Sequence, residues 1–206
     1  MKIPAAICMA VTSTCALAGG MSPQRFEDFE VSDGRLTHAE DDQLMISSKE
    51  FRATLRAPTK QHVILRFKYL GPTREIAHLQ SGEVRHQFGI KLKAQDICNL
   101  VYVMWNFDAQ QIQVSVKNNP GLQTAEQCKD HGYHFTFDNA VTRKPAPVTV
   151  DRWHSLEAKL DEKHLRVLLD NELMWEGDLT NDQMPFMGPV GLRSDNVHVL
   201  FDYIVP

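Results

Sequence analysis

Short runs in which apolar and polar residues alternate recur along this chain, and they constrain its fold more than any other feature. Residues 63–70 read Val-Ile-Leu-Arg-Phe-Lys-Tyr-Leu and stop at Gly71-Pro72-Thr73. Residues 86–93 alternate cleanly, with Phe88, Ile90 and Leu92 on one face. Residues 112–117 alternate again and end at Asn118-Asn119-Pro120-Gly121. Residues 153–160 and 164–169 flank a short hairpin loop, Asp161-Glu162-Lys163, and 197–204 close the chain. A period of two is that of a strand with one face buried. Residues 100–107 are almost wholly apolar, which suits a central strand covered on both faces. Helical signals are confined to 124–129 and 180–184. Many short strands separated by turns predict an all-β fold, a two-sheet antiparallel jelly-roll sandwich, rather than alternating βα units.

The first eighteen residues differ from the rest. After Lys2, residues 3–18 carry no charge and end in Ala16-Leu17-Ala18 before Gly19-Gly20. A positive start, an apolar stretch and a small-residue cleavage pattern predict a signal peptide over 1–18 and a single sandwich domain over 19–206. A lipoprotein acylated at Cys15 is the alternative, although Thr14 is bulky for such a site. Removing the leader takes Cys8 and Cys15 with it and leaves Cys98 and Cys128. An even pair in an oxidising compartment, periplasmic or secreted, predicts a disulfide between them. No apolar run reaches the roughly 18 residues that span a bilayer as a helix. The formal net charge of -4 carries no basic excess of the kind a nucleic-acid partner needs.

Chemistry-bearing motifs are sparse. Glu27-Asp28 and Glu40-Asp41-Asp42 are consecutive and loop-like, and Asp161-Glu162 sits in a turn. None has the spacing on one strand that would set two carboxylates across a glycosidic bond. His131-Gly132-Tyr133-His134, near Cys128 and Asp130, lacks the spacing of a zinc site and reads as a loop pinned by the disulfide. There is no G-x-S-x-G and no phosphate loop. Trp105, Trp153 and Trp175 read as core, with Leu156, Val167 and Leu169 facing Trp153 across the 153–169 hairpin.

The last sixty residues carry a further pattern. Trp153-His154-Ser155-Leu156 opens a strand, and Val167-Leu168-Leu169-Asp170-Asn171 ends the next. Gly188-Pro189-Val190-Gly191-Leu192 and then Phe201-Asp202-Tyr203-Ile204 follow. This resembles the concanavalin A-like lectin and glucanase sandwiches, in particular the laminin-G-like and 3-keto-disaccharide-hydrolase-type domains of exported bacterial proteins. Asn171 stands where those domains carry Gly in the D-G turn, and Asn also tolerates positive φ. The resemblance is clear over 148–206, loose over 60–117 and invisible over 118–147. It implies carbohydrate recognition on a concave sheet face. A glycoside hydrolase or polysaccharide lyase of the same fold is one alternative, and a protein-binding adhesion module is another. Calcium is compatible with the resemblance, but no ligand set for it is legible. No catalytic residue carries over. The outward residues of two alternating strands, Arg66, Lys68, Gln87, Lys91 and Lys93, are the expected ligand-binding set. Were those strands neighbours, the set would form one basic patch suited to an acidic carbohydrate.

Overall fold

The computed structural model describes residues 20–39, 43–180 and 182–206. The expected leader lies outside them, as does the acidic run at 40–42. Sixteen strands build two antiparallel sheets among the described residues. The larger sheet runs β11 (Asp138–Thr142), β14 (Glu172–Asp178), β13 (His164–Leu169), β12 (Trp153–Asp161), β6 (His62–Pro72), β16 (Val197–Val205), β4 (Leu44–Ile46) and β3 (Leu36–His38), with β1 (Ser22–Pro23) also paired to β16. The smaller runs β10 (Tyr133–His134), β9 (Gln111–Lys117), β8 (Leu100–Asn106), β7 (Gln87–Leu92), β15 (Gly191–Asp195), β5 (Glu50–Leu55) and β2 (Phe29–Asp33). One short helix, α1 (Ala125–Cys128), falls where the sequence predicts it. No helix forms at 180–184 among the described residues.

Each strand contributes its alternate side chains to the space between the sheets. Phe67, Phe88, Trp105 and Phe201 are at most 1% exposed and meet edge to face. Such pairs add specificity of geometry to the burial of large apolar area. Tyr203 crosses the core from the larger sheet, and its hydroxyl donates to the Gly191 carbonyl of the smaller one at 2.7 Å. The run at 100–107 is covered on both faces, as its composition predicts. Val101, Val103 and Trp105 face the core, while Leu100, Tyr102 and Met104 form a second cluster with Ala94 on the opposite face.

The turn chemistry is that of the sequence. Asp170 and Asn171 take φ of 51° and 69°, so a two-residue turn links β13 to β14. Asp170 also accepts from the Ser155 amide and pairs with His154, both at 2.8 Å. The Trp-His and Asp-Asn motifs thus hold each other across the hairpin.

Two expectations are corrected. Trp153 is not a core residue. Leu156, Val167 and Leu169 are buried, but Trp153 is only half-buried and lies on the outer face. Positions 153 and 156 differ by an odd number, so an unbroken strand must send them to opposite faces. Trp153 is instead covered by Arg66 and Lys68, whose cationic ends sit 5.5 and 5.6 Å from its ring centroid. The second correction concerns the basic strands. β6 is flanked by β12 and β16, and β7 by β8 and β15, so the two lie in different sheets.

Candidate functional site

The outward face of the smaller sheet is a cleft. Its floor follows from strand register. Arg52 of β5 lies opposite Arg193 of β15, which lies opposite Gly89 of β7, then Met104 of β8 and Gln113 of β9. The next row reads Thr54, Gly191, Lys91, Tyr102, Ser115. On its other side Glu50, Asp195, Gln87 and Asn106 line up. Gly89 keeps the floor low, because a Cβ there would stand 2.2 Å from the Val103 carbonyl oxygen.

Two loops raise walls beside this floor and enclose a cavity of about 540 Å³. One wall comes from the β6–β7 connection, through His78, Leu79 and Arg85. Asn196 secures it. Buried and at positive φ (58°), Asn196 accepts from the Ala77 amide at 2.7 Å and donates to the Ala77 and Arg85 carbonyls. The other wall is Ile97, α1 and the segment that follows it. The expected disulfide forms, Cys98 to Cys128, and ties α1 to the β7–β8 loop. Asn99 and Asn119 stitch the same loops, Asn119 donating to the carbonyls of Cys98 and His131. Three aromatic rings climb this side: Tyr102 is stacked on Tyr133, and Tyr133 on Phe135 at 5.7 Å and 11°. Phe135 is 56% exposed at the rim.

The floor is organised around one buried acid. Asp195, 1% exposed, accepts from Arg52 at 2.6 Å, from Arg193 Nε at 2.8 Å and from Gln87 at 2.6 Å. Burial favours its neutral form, but Arg193, Arg52 and Gln87 hold its pKa below the usual carboxylate range. Arg52 also donates to the Phe51 and Ser194 carbonyls, so its guanidinium is consumed by the protein. Arg193 lies over the Tyr102 ring at 5.1 Å. Lys117 lies over Tyr133 at 5.1 Å and donates to the Lys129 carbonyl at 2.6 Å. Burial, with Arg52 and Arg193 nearby, pushes Lys91 down to about 7. Lys117 is lowered by burial and then by Arg193, and Tyr133 is raised to about 12 by burial and then by Tyr102.

The expected ligand set is divided. Gln87 lines the cavity, and Lys91 lies in its floor sheet, 5% exposed. Lys93 sits past the end of β7 with its ammonium toward the Met184 carbonyl. Arg66 and Lys68 are on the far side of the sandwich with Trp153. Sequence reasoning missed Arg52, Tyr102, Lys117, Tyr133, Arg193 and Asp195. One signal was available. In Gly191-Leu192-Arg193-Ser194-Asp195, alternation around buried Leu192 sends Arg193 and Asp195 outward together, a charged pair on one strand face. Tyr133 and Phe135 had no such signal, because β10 is only two residues long and Phe135 follows it outside any strand, too short a run for alternation to show. Among the described residues no group of three or more His, Cys, Asp or Glu could hold a metal ion.

No family profile matches the chain, and no curated protein does. Solved structures do. A carbohydrate-binding module, CBM66, from Bacillus subtilis superposes with a TM-score of 0.58 at 9% identity, covering 84% of this chain and 91% of that one. A protein of unknown function with a galectin-like fold, also from Bacillus subtilis, gives 0.57 at 10% identity, covering 87% and 89%. A putative glycosyl hydrolase from Parabacteroides distasonis gives 0.54 at 11% identity, covering 88% and 89%. The chain therefore has the concanavalin A-like, galectin-like sandwich fold that its last sixty residues resemble.

Proposed function

We propose that this sandwich is an exported carbohydrate-binding protein that seats a glycan in the cleft of its smaller sheet. The observation that carries the reading is the stack of Tyr102, Tyr133 and Phe135 rising from a floor of fixed polar side chains. Sugars present apolar C–H faces and a rim of hydroxyls. Aromatic rings match the first, and oriented amide, hydroxyl and guanidinium groups match the second. Gln87 adds an unmet need, since its buried Oε1 has no hydrogen-bond partner and could accept from a hydroxyl. The likeness to a carbohydrate-binding module and to a putative glycosyl hydrolase supports the same reading at the level of fold. Export is supported by the leader pattern at 1–18 and by the disulfide.

The test is a glycan-array screen of the chain from residue 19 onward, followed by calorimetry on the hits. Phe135→Ala removes an exposed ring and leaves the core untouched. It should weaken binding by about tenfold, the loss of one stacking contact. Absence of binding to any glycan, or full affinity in both Phe135→Ala and Tyr133→Ala, would overturn the reading.

A further inference from the structure

The charges of the cleft floor do not balance. Arg52, Lys117 and Arg193 project from one sheet face, Lys91 beside them carries a charge that burial weakens, and Asp195 is the buried acid of that face among the described residues. Both Asp195 oxygens are already used, one by Arg52 and the other by Arg193 and Gln87. The remaining carboxylates of the cavity, Glu50, Glu126 and Asp130, belong to its rim, where Glu126 and Asp130 are exposed and solvated. Glu50 reaches only the outer edge of Arg52, at 3.4 Å. Burying unbalanced cations is costly, and a neutral sugar would leave that imbalance in place.

Arg193 and Lys117 are cavity-lining cations of the floor strands with donors left to give. Arg193 uses Nε on Asp195, which orients the guanidinium, while its Cζ lies 5.1 Å from the Tyr102 ring centroid. Its side chain is 13% exposed and lines the cavity. Lys117 gives one hydrogen to the Lys129 carbonyl and keeps two. Arg193 disfavours the charged form of Lys117, and both cations stand near Tyr133. A guanidinium over Tyr102 and an ammonium over Tyr133, the ring stacked on it, offer donors suited to a planar or tetrahedral oxyanion.

We infer that the cleft selects an anionic glycan, with Arg193 and Lys117 seating a carboxylate or sulfate group of the sugar. The inference rests on the glycan reading of the same cavity and specifies its ligand class. Neutral sugars use the aromatic rings and Gln87 alone. An acidic sugar adds charge-assisted hydrogen bonds that are strong in a partly desolvated cleft.

Calorimetry with matched pairs tests it. The probes are polygalacturonate and alginate oligosaccharides against their carboxyl-reduced forms, and chondroitin sulfate against its desulfated form, each at low and high salt. At least one charged probe should bind about tenfold or more tighter than its neutralised partner, with the difference shrinking in high salt. The carboxylate and sulfate arms distinguish the two sources of charge. Arg193→Gln should abolish most of that difference. Because that change strips a partner from Asp195, Lys117→Met serves as the second variant, and it should lose about tenfold on the charged probe alone. Equal binding of charged and neutralised forms would overturn the inference and leave the glycan reading standing. Binding of neither form by a protein that also fails the glycan array would overturn both. Unchanged selectivity in both variants would remove Arg193 and Lys117 from the site.

Discussion

Lys91 shows how a single side chain can record a conflict between fold and environment. Strand alternation forces it onto the cleft floor, between Gly191 and Tyr102. There it meets Arg52 of β5, Arg193 and Asp195 of β15, and Asp33 of β2. Burial and the two arginines outweigh the two acids, so its pKa falls from 10.5 to about 7. The unfolded chain then holds more protons than the folded one between about 7 and 10.5, and stability from this group rises with pH across that window. Below the window Lys91 is charged in both states and its full burial cost stands. Lys91→Met should therefore stabilise the protein by on the order of 1–4 kcal/mol near neutral pH or below. The gain should shrink toward about pH 10, where the wild-type lysine is neutral in the folded state. Urea unfolding of both proteins at the two ends of this range measures it. A destabilised Lys91→Met variant, or a difference independent of pH, would show that the ammonium is stabilised by its surroundings.

At the scale of elements, the cleft is a product of its connections more than of its strands. The 118–134 stretch carries little strand character, yet it supplies α1, Tyr133 and the disulfide partner Cys128. Closing a loop of roughly thirty residues is worth about 3–4 kcal/mol in the chain-entropy model. Thiol titration of the denatured, unreduced protein should find no free thiol at Cys98 or Cys128. The Cys98→Ser/Cys128→Ser double variant should lose that stability and also bind glycan more weakly, because α1 then loses its covalent tie to the β7–β8 loop. A variant that keeps full affinity would make the bridge a stability device alone. The strands teach a related lesson. β6 and β7 are consecutive in the chain and both alternate, which invites pairing. The connection between them, residues 73–86, is long enough to cross from one sheet to the other, and it does. Periodicity reports that a strand has two faces; it carries no information about which sheet receives it.

For the whole molecule, the first strand among the described residues, β1, pairs with the last, β16. Cleavage after Ala18 would leave that pairing intact. N-terminal sequencing of the protein recovered from a periplasmic or culture fraction should start at Gly19. Intact Met1 in that fraction would rule out cleavage after Ala18 and leave the disulfide as the support for export. The sequence by itself determined the all-β class, the turns at Asp170-Asn171 and Asn118–Gly121, the two-sided burial of 100–107 and the pairing of the two cysteines. Each of these depends on neighbours along the chain, on a period of two, or on there being a single partner to choose. Tertiary structure alone decided that Arg66 and Lys68 serve Trp153 on one side while Gln87 and Lys91 serve the cleft on the other. It also brought Arg52, Arg193 and Gln87 from three strands onto Asp195, and Lys117 and Tyr133 from two more into the same cleft. Strand order and register across a sheet are set by long-range packing of the whole core, which no local pattern encodes.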